Sequence, residues 1–225
     1  AHRLKQKSGM YQNLGEHQVK EIINAASLSV FFLDENQRVT LKDIGSREEI
    51  IRHARLHDAE VREAELASQF RCNGSDGYLA WVDNTLQIRP TANETLEGID
   101  YDFQVCDGPA DLRERITDKN SQRNKSRLVA GYCWPWVSQK NKTAKDICFP
   151  EHGFAMQWNL REHGMKWLIV PDSVNQVGCI HTCQGLELEY VGVIIGPDFV
   201  VRDGRVRTDA GRRARHDRSV HGYKK

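Results

Sequence analysis

The sequence holds no Gly-x-x-x-x-Gly-Lys-Ser/Thr run, so nothing in it forms the loop that wraps the α- and β-phosphates of a nucleotide. No two of its six cysteines stand at CxxC spacing, and a chain of 225 residues needs no disulfide staples. Cys179, His181 and Cys183 invite a zinc reading, but no second ligand pair sits at finger spacing, and free thiols are the better reading. No stretch reaches the apolar length of a membrane span and none reads as a signal peptide, so the chain is read as cytoplasmic with no membrane partner. There is no internal repeat. No cluster of carboxylates with a histidine stands at a strand end, as a metal-dependent nuclease would need. A net charge of +1 supplies no global attraction to nucleic acid.

What is present is a core-forming hydrophobic fraction of 39% beside an ordinary charged fraction of 28%. Charge is unevenly spread. Residues 202–225 hold nine Lys/Arg against three Asp/Glu, a local +6, which leaves the rest near −5. Such a tail is either a nucleic-acid patch or a solvated surface run.

Helix and strand patterns alternate. Val19, Ile22, Ile23 and Ala26 share one helical face, followed by a strand-like apolar run over 28–33. Ser46 with Glu49 makes a capping box for a helix to about His57. A helix from Ser75 to Leu86 would turn Tyr78, Leu79, Val82 and Leu86 inward. Tyr101, Phe103 and Val105 alternate as a strand, and Pro109 opens a further helix. Residues 127–132 and 190–195 read as buried strands, whereas 133–153 reads as a polar loop or small insertion. Asp203-Gly204 marks a hairpin. Strands separated by helices predict an α/β fold with a parallel sheet.

Three segments carry chemistry. In the first, Asp34-Glu35-Asn36-Gln37 follows an apolar run. A neutral amide such as Gln37 at the carboxyl end of a strand can hold a phosphate oxygen or an attacking water. In the second, Arg71 follows Gln69-Phe70, and an arginine brought across a cleft stabilises charge on a transferring phosphoryl group. The third, Cys179 to Val191, places Gly185 between Gln184 and Glu187. The glycine lets backbone approach a phosphate, Glu187 can accept from a ribose hydroxyl, and His181 and Thr182 offer donors to a nucleic-acid backbone. Taken singly, each has a bland alternative: a loop cap, a surface ion pair, a polar turn.

In order, the three resemble superfamily 1 helicases. Asp34-Glu35-Asn36-Gln37 is similar to motif III, with Leu33 in place of a glycine; Gln69-Phe70-Arg71 resembles motif IV. His181-Thr182-Cys183-Gln184-Gly185-Leu186-Glu187 resembles motif V, with Cys179 where threonine is common, and Ala1-His2 resembles the end of a Walker B box. The wording Phe-Phe-Leu-Asp-Glu-Asn-Gln-Arg-Val, Ser-Gln-Phe-Arg-Cys-Asn-Gly-Ser and Gly-Cys-Ile-His-Thr-Cys-Gln-Gly-Leu-Glu is nearest to a bacterial helicase-like family related to the Schlafen helicase region. That resemblance spans nearly the whole chain.

The resemblance implies a RecA-like P-loop NTPase fold, with the end of a first RecA-like domain in residues 1–62 and most of a second in 63–225. It implies ATP and Mg²⁺ as cofactors of a parent helicase or translocase, and single-stranded DNA or RNA as partner. Gln37 and Arg71 would be catalytic. Asp34, Gln184, Gly185 and Glu187 would bind nucleotide, and His181 and Thr182 nucleic acid. Without a phosphate loop, a magnesium-binding Asp-Glu or motif VI, the chain alone is expected to be inactive. The alternative is a non-catalytic nucleic-acid-binding or assembly module, its single-strand binding carried by the basic tail, with Trp134 and Trp136 either as stacking surfaces or as a buried aromatic pair.

Overall fold

The computed structural model describes residues 16–34, 45–65, 75–160, 162–183 and 185–220. These fall into two units, one reaching position 65 and taking in 218–220, the other running from 75 to 217.

The first unit contains α1 (Gln18–Ala25) and α2 (Arg47–Leu56). Ser46 caps α2 by accepting the Glu49 amide at 3.3 Å, while the Glu49 carboxylate reaches back to the Gly45 N–H at 2.8 Å. The box therefore closes one residue earlier than its usual form. The His17 and His53 rings meet at a tilt of 44°, with centroids 4.4 Å apart. Residues 28–33 form no strand. Leu28, Val30 and Phe32 are exposed, and no neighbouring strand is available among the described residues to satisfy their backbone. An apolar run becomes a strand only when something pairs with it.

The second unit is α/β, as the alternation of patterns predicts. It opens with α3 (Asp76–Thr85) and α4 (Pro109–Gln122) and continues through β1 (Ser126–Ala130), β2 (Ile147–Phe149), β3 (Phe154–Trp158) and β4 (Gln176–Cys179). The one-turn helix α5 (Ile180–Cys183) follows, then β5 (Tyr190–Ile194), β6 (Phe199–Arg202) and β7 (Arg205–Thr208). The main sheet runs in the order β2-β3-β4-β1-β5, parallel throughout except for the β2–β3 pair. A mostly parallel sheet with β4 at its centre is the arrangement a RecA-like fold needs.

The α4 helix covers one face of β1 and β5. A Cβ on Gly192 would lie 2.6 Å from Leu128 Cδ2 and 2.8 Å from Ile116 Cγ1, so only glycine lets the helix sit that close. At the end of the sheet, Val191, Val193 and Ile195 point away from α4 and stay 47%, 54% and 62% exposed.

On the other side of the centre, Phe154, Met156 and Trp158 alternate inward from β3 and are almost fully buried. Residues 133–153 are not a surface insertion. Trp134 and Trp136 pack on Trp158, with ring centroids 6.5 and 5.9 Å away. The buried Asp146 carboxylate accepts from Ser138 N, Ser138 Oγ and Trp158 N at 2.5–2.9 Å. Three donors offset its desolvation, and the segment is pinned to the core.

Two further expectations change. Residues 101–105 are irregular: Tyr101 stacks on Tyr78 at 3.6 Å and Phe103 meets Trp81 edge-on at 4.8 Å, so their alternation serves ring contacts with α3 rather than a sheet. Leu86 ends α3 exposed instead of inward.

Buried Arg127, the second residue of β1, has no carboxylate partner among the described residues. Its guanidinium donates to Ser173 Oγ, Asn120 Oδ1, Ser126 O, Asn124 Oδ1, Leu168 O and Val170 O at 2.6–3.2 Å, and lies 5.8 Å from the Trp167 ring. Burial lowers its pKa. It organises the short 3-10 turns that carry the chain from β3 to β4.

The β6–β7 pair is a separate hairpin. Asp203 and Gly204 take φ of 50° and 67°, the two positive values of a type I′ turn.

Candidate nucleotide and nucleic-acid site

The segment resembling motif V lies at the carboxyl end of the central parallel strand, where ligands of open α/β sheets collect. Cys179 ends β4, and α5 turns at once. That turn is held by Asn159, the residue after β3. Asn159 is buried, and its side-chain oxygen accepts from Cys179 N at 3.0 Å and Thr182 Oγ1 at 3.1 Å. One amide thus ties the ends of two neighbouring strands to the helical turn. Sequence reasoning missed Asn159; the period-two alternation of Phe154, Met156 and Trp158 was the available signal.

From α5 the chain folds back across the sheet. Cys183 lies against Gly178, where a Cβ would stand 2.5 Å from its sulfur and 2.6 Å from Trp167 Cη2. Burial pushes the Cys183 thiol up to about 12, with a smaller electrostatic contribution from neighbouring Cys179, so the sulfur is a packing group. Among the described residues no group of three or more His, Cys, Asp or Glu could hold a metal ion.

Gly185 follows with φ +86°, a conformation that favours glycine, and open space where its Cβ would be. Glu187 is exposed beyond it. In the first unit, Asp34 ends the exposed extended segment. Gln37, Arg71, Gln184 and the His181 side chain lie outside the described residues. Among the described residues the segment thus offers an acceptor at the exposed Glu187 carboxylate and open backbone at Gly185.

The chain matches the Schlafen group 3 DNA/RNA helicase domain over residues 1–225. It belongs to that family. The uncharacterized protein YPL245W of Saccharomyces cerevisiae is 24% identical over 204 residues, covering 81% of this chain and 44% of the yeast protein. The chain thus spans less than half the length of that curated relative. No solved structure matches it. The Schlafen group 3 family is a DNA/RNA helicase domain, which implies nucleic-acid binding with nucleotide and metal use for the family in general. No helix among the described residues is long and apolar enough to cross a membrane.

A second polar cluster of this helicase domain stands beyond the carboxyl ends of β1 and β5. Arg213 lies 2.6 Å from Asp217, which is almost fully buried, and 3.8 Å from Asp198. Cys133 packs against Gly196, and burial pushes its thiol up to about 12, with a hydrogen bond to Asp198 adding to the shift. The cluster fixes the base of the β6–β7 hairpin, where Asp209 N donates to Asp198 O at 2.8 Å. No sequence motif pointed to it.

Proposed function

We propose that this chain supplies motifs III, IV and V to the ATP cleft and nucleic-acid track of a superfamily 1 helicase or translocase. Residues 1–62 would close a first RecA-like domain and 63–225 form most of a second. The observation that carries the reading is the Asn159-held turn at the carboxyl end of the central strand of a parallel sheet.

In this proposal Asp34, Gln184, Gly185 and Glu187 hold nucleotide, with Glu187 accepting from the ribose. Gln37 orients the attacking water, and Arg71 neutralises charge developing on the γ-phosphate. ATP with Mg²⁺ supplies the transferable phosphoryl group, and the magnesium ligands belong to segments outside this chain. His181 and Thr182 would contact the nucleic-acid strand. The Thr182 hydroxyl proton is already committed to Asn159, so toward a strand it acts as an acceptor, for a sugar hydroxyl or an exocyclic amine. Trp134 and Trp136 are partly buried against the core, which speaks against open stacking surfaces at those two positions in the assembly-module alternative.

The test is Arg71→Ala in a parent protein that includes the phosphate loop. Hydrolysis should fall by about 10³ to 10⁵ with ATP binding largely spared. An enzyme within a few-fold of wild type would return Arg71 to the role of a surface ion pair, worth about 0–1 kcal/mol.

A further inference from the structure

The β6–β7 ribbon presents a charged face that the motif-based reading does not use. Directly opposed residues of an antiparallel pair share a face. The register pairs Val200 with Arg207 and Arg202 with Arg205, so Arg202, Arg205 and Arg207 stand on the same side. All three are exposed, and none has a carboxylate at ion-pair distance among the described residues. Nearby arginines differ: Arg212 pairs with Asp209, and Arg213 with Asp198 and Asp217.

The ribbon is held at both ends. Its base rests on the Asp198–Arg213–Asp217 cluster. Its tip is gripped by the Gln87 side chain, whose amide nitrogen donates to Gly204 O at 2.8 Å and whose oxygen accepts Val206 N at 3.1 Å. Gln87 itself sits at φ 56°, an uncommon conformation for a residue with a side chain. A neutral amide makes this hold without neutralising the arginines. The ribbon also emerges just past the carboxyl end of β5, at the same end of the parallel strands as Asn159 and Thr182.

We propose that Arg202, Arg205 and Arg207 form a phosphate-backbone contact for nucleic acid, separate from the His181–Thr182 turn. Guanidinium forks match phosphate oxygens. Arg205 and Arg207 lie two residues apart on a strand, a spacing of about 7 Å, and a two-stranded ribbon is slim enough to follow a backbone or enter a groove. Anchoring the ribbon in advance lowers the ordering cost of binding. This contact rests on the nucleic-acid part of the proposed function; it carries no base specificity.

The experiment measures binding of fluorescein-labelled oligodeoxythymidylate and of a mixed-sequence duplex to the full chain across a salt series. Three proteins are compared: wild type, Arg202→Gln/Arg205→Gln/Arg207→Gln, and the charge-matched control Lys140→Gln/Lys142→Gln/Lys145→Gln. Each phosphate contact contributes about 0.7 to the log–log salt slope on a single strand and about 0.9 on a duplex. The ribbon variant should therefore lose about 2 from the slope on the single strand or nearly 3 on the duplex, and the control almost nothing. The probe whose loss reaches its full expected value, about 2 for the single strand or nearly 3 for the duplex, names the preferred form. A ribbon variant with the wild-type slope, or a control that loses as much, overturns the contact while leaving the helicase reading in place. Wild-type protein that binds neither probe overturns both.

Discussion

Arg127→Met sets two large terms against each other. In its favour, the substitution removes a buried cation that has no anionic partner, and the desolvation penalty of such an ion is several kcal/mol even after relaxation. Against it, six acceptors lose a donor. Asn120 Oδ1, Leu168 O and Val170 O keep another, from Ser126 N, Asn124 Nδ2 and Ser173 N. Half-buried Asn124 can turn to water. Buried Ser126 O and Ser173 Oγ cannot, and each stranded acceptor costs about 1–3 kcal/mol. With part of that returned by the departing charge, we expect a net loss of about 2–4 kcal/mol. Arg127→Lys should fall at least as far, because it keeps the charge and gives up the planar fork. All five tryptophans lie between positions 81 and 167, so urea melts followed by tryptophan fluorescence report the second unit alone. An Arg127→Met protein as stable as wild type, or more so, would show that desolvation outweighs the hydrogen bonds and refute the organising role given to this residue.

Two other predictions concern local chemistry. His53 has its pKa lowered from 6.5, first by burial and then by the charges of His17 and Arg52, and its Nε2 faces the Arg52 guanidinium at 3.3 Å. The unfolded chain then takes up a proton that the folded one refuses, so the first unit should lose stability as pH falls below about 6.5 and keep it above; pH-dependent melts by circular dichroism, with the loss absent in His53→Gln, check the sign. Gly178→Ala should cost about 1–3 kcal/mol through collision with Cys183 and Trp167, whereas Gly185→Ala, which meets no atom, should cost only about 1–2 kcal/mol of backbone strain; thermal shifts that rank the second above the first would contradict this.

The elements legible in the sequence are those whose cause is local. Ser46 and Ser75 cap helices with their own hydroxyls, Pro109 opens α4, and Asp203-Gly204 can turn back only as a tight hairpin. What escaped is set by distant partners. Residues 28–33 have the composition of a strand and no neighbour among the described residues, while β2, only three residues long, exists because Phe154 to Met156 lies beside it. The candidate site divides in the same way. Gly185 announces itself through the residues around it, whereas Asn159 matters only because folding brings it beside Cys179 and Thr182, some twenty positions on.

The row of Val191, Val193 and Ile195 bears on how the isolated chain behaves in a tube. Among the described strands β5 is the last of its sheet, so its outer backbone edge is open beside β-branched side chains that water already touches. An open edge of that composition is a template to which copies of the same segment add, and the tendency grows with protein concentration and with salts that strengthen burial. Natural edge strands blunt this with a charged residue partway along. This one has none between Tyr190 and Ile195, which makes Val193→Lys, at a position 54% exposed, the least intrusive way to keep concentrated samples monodisperse.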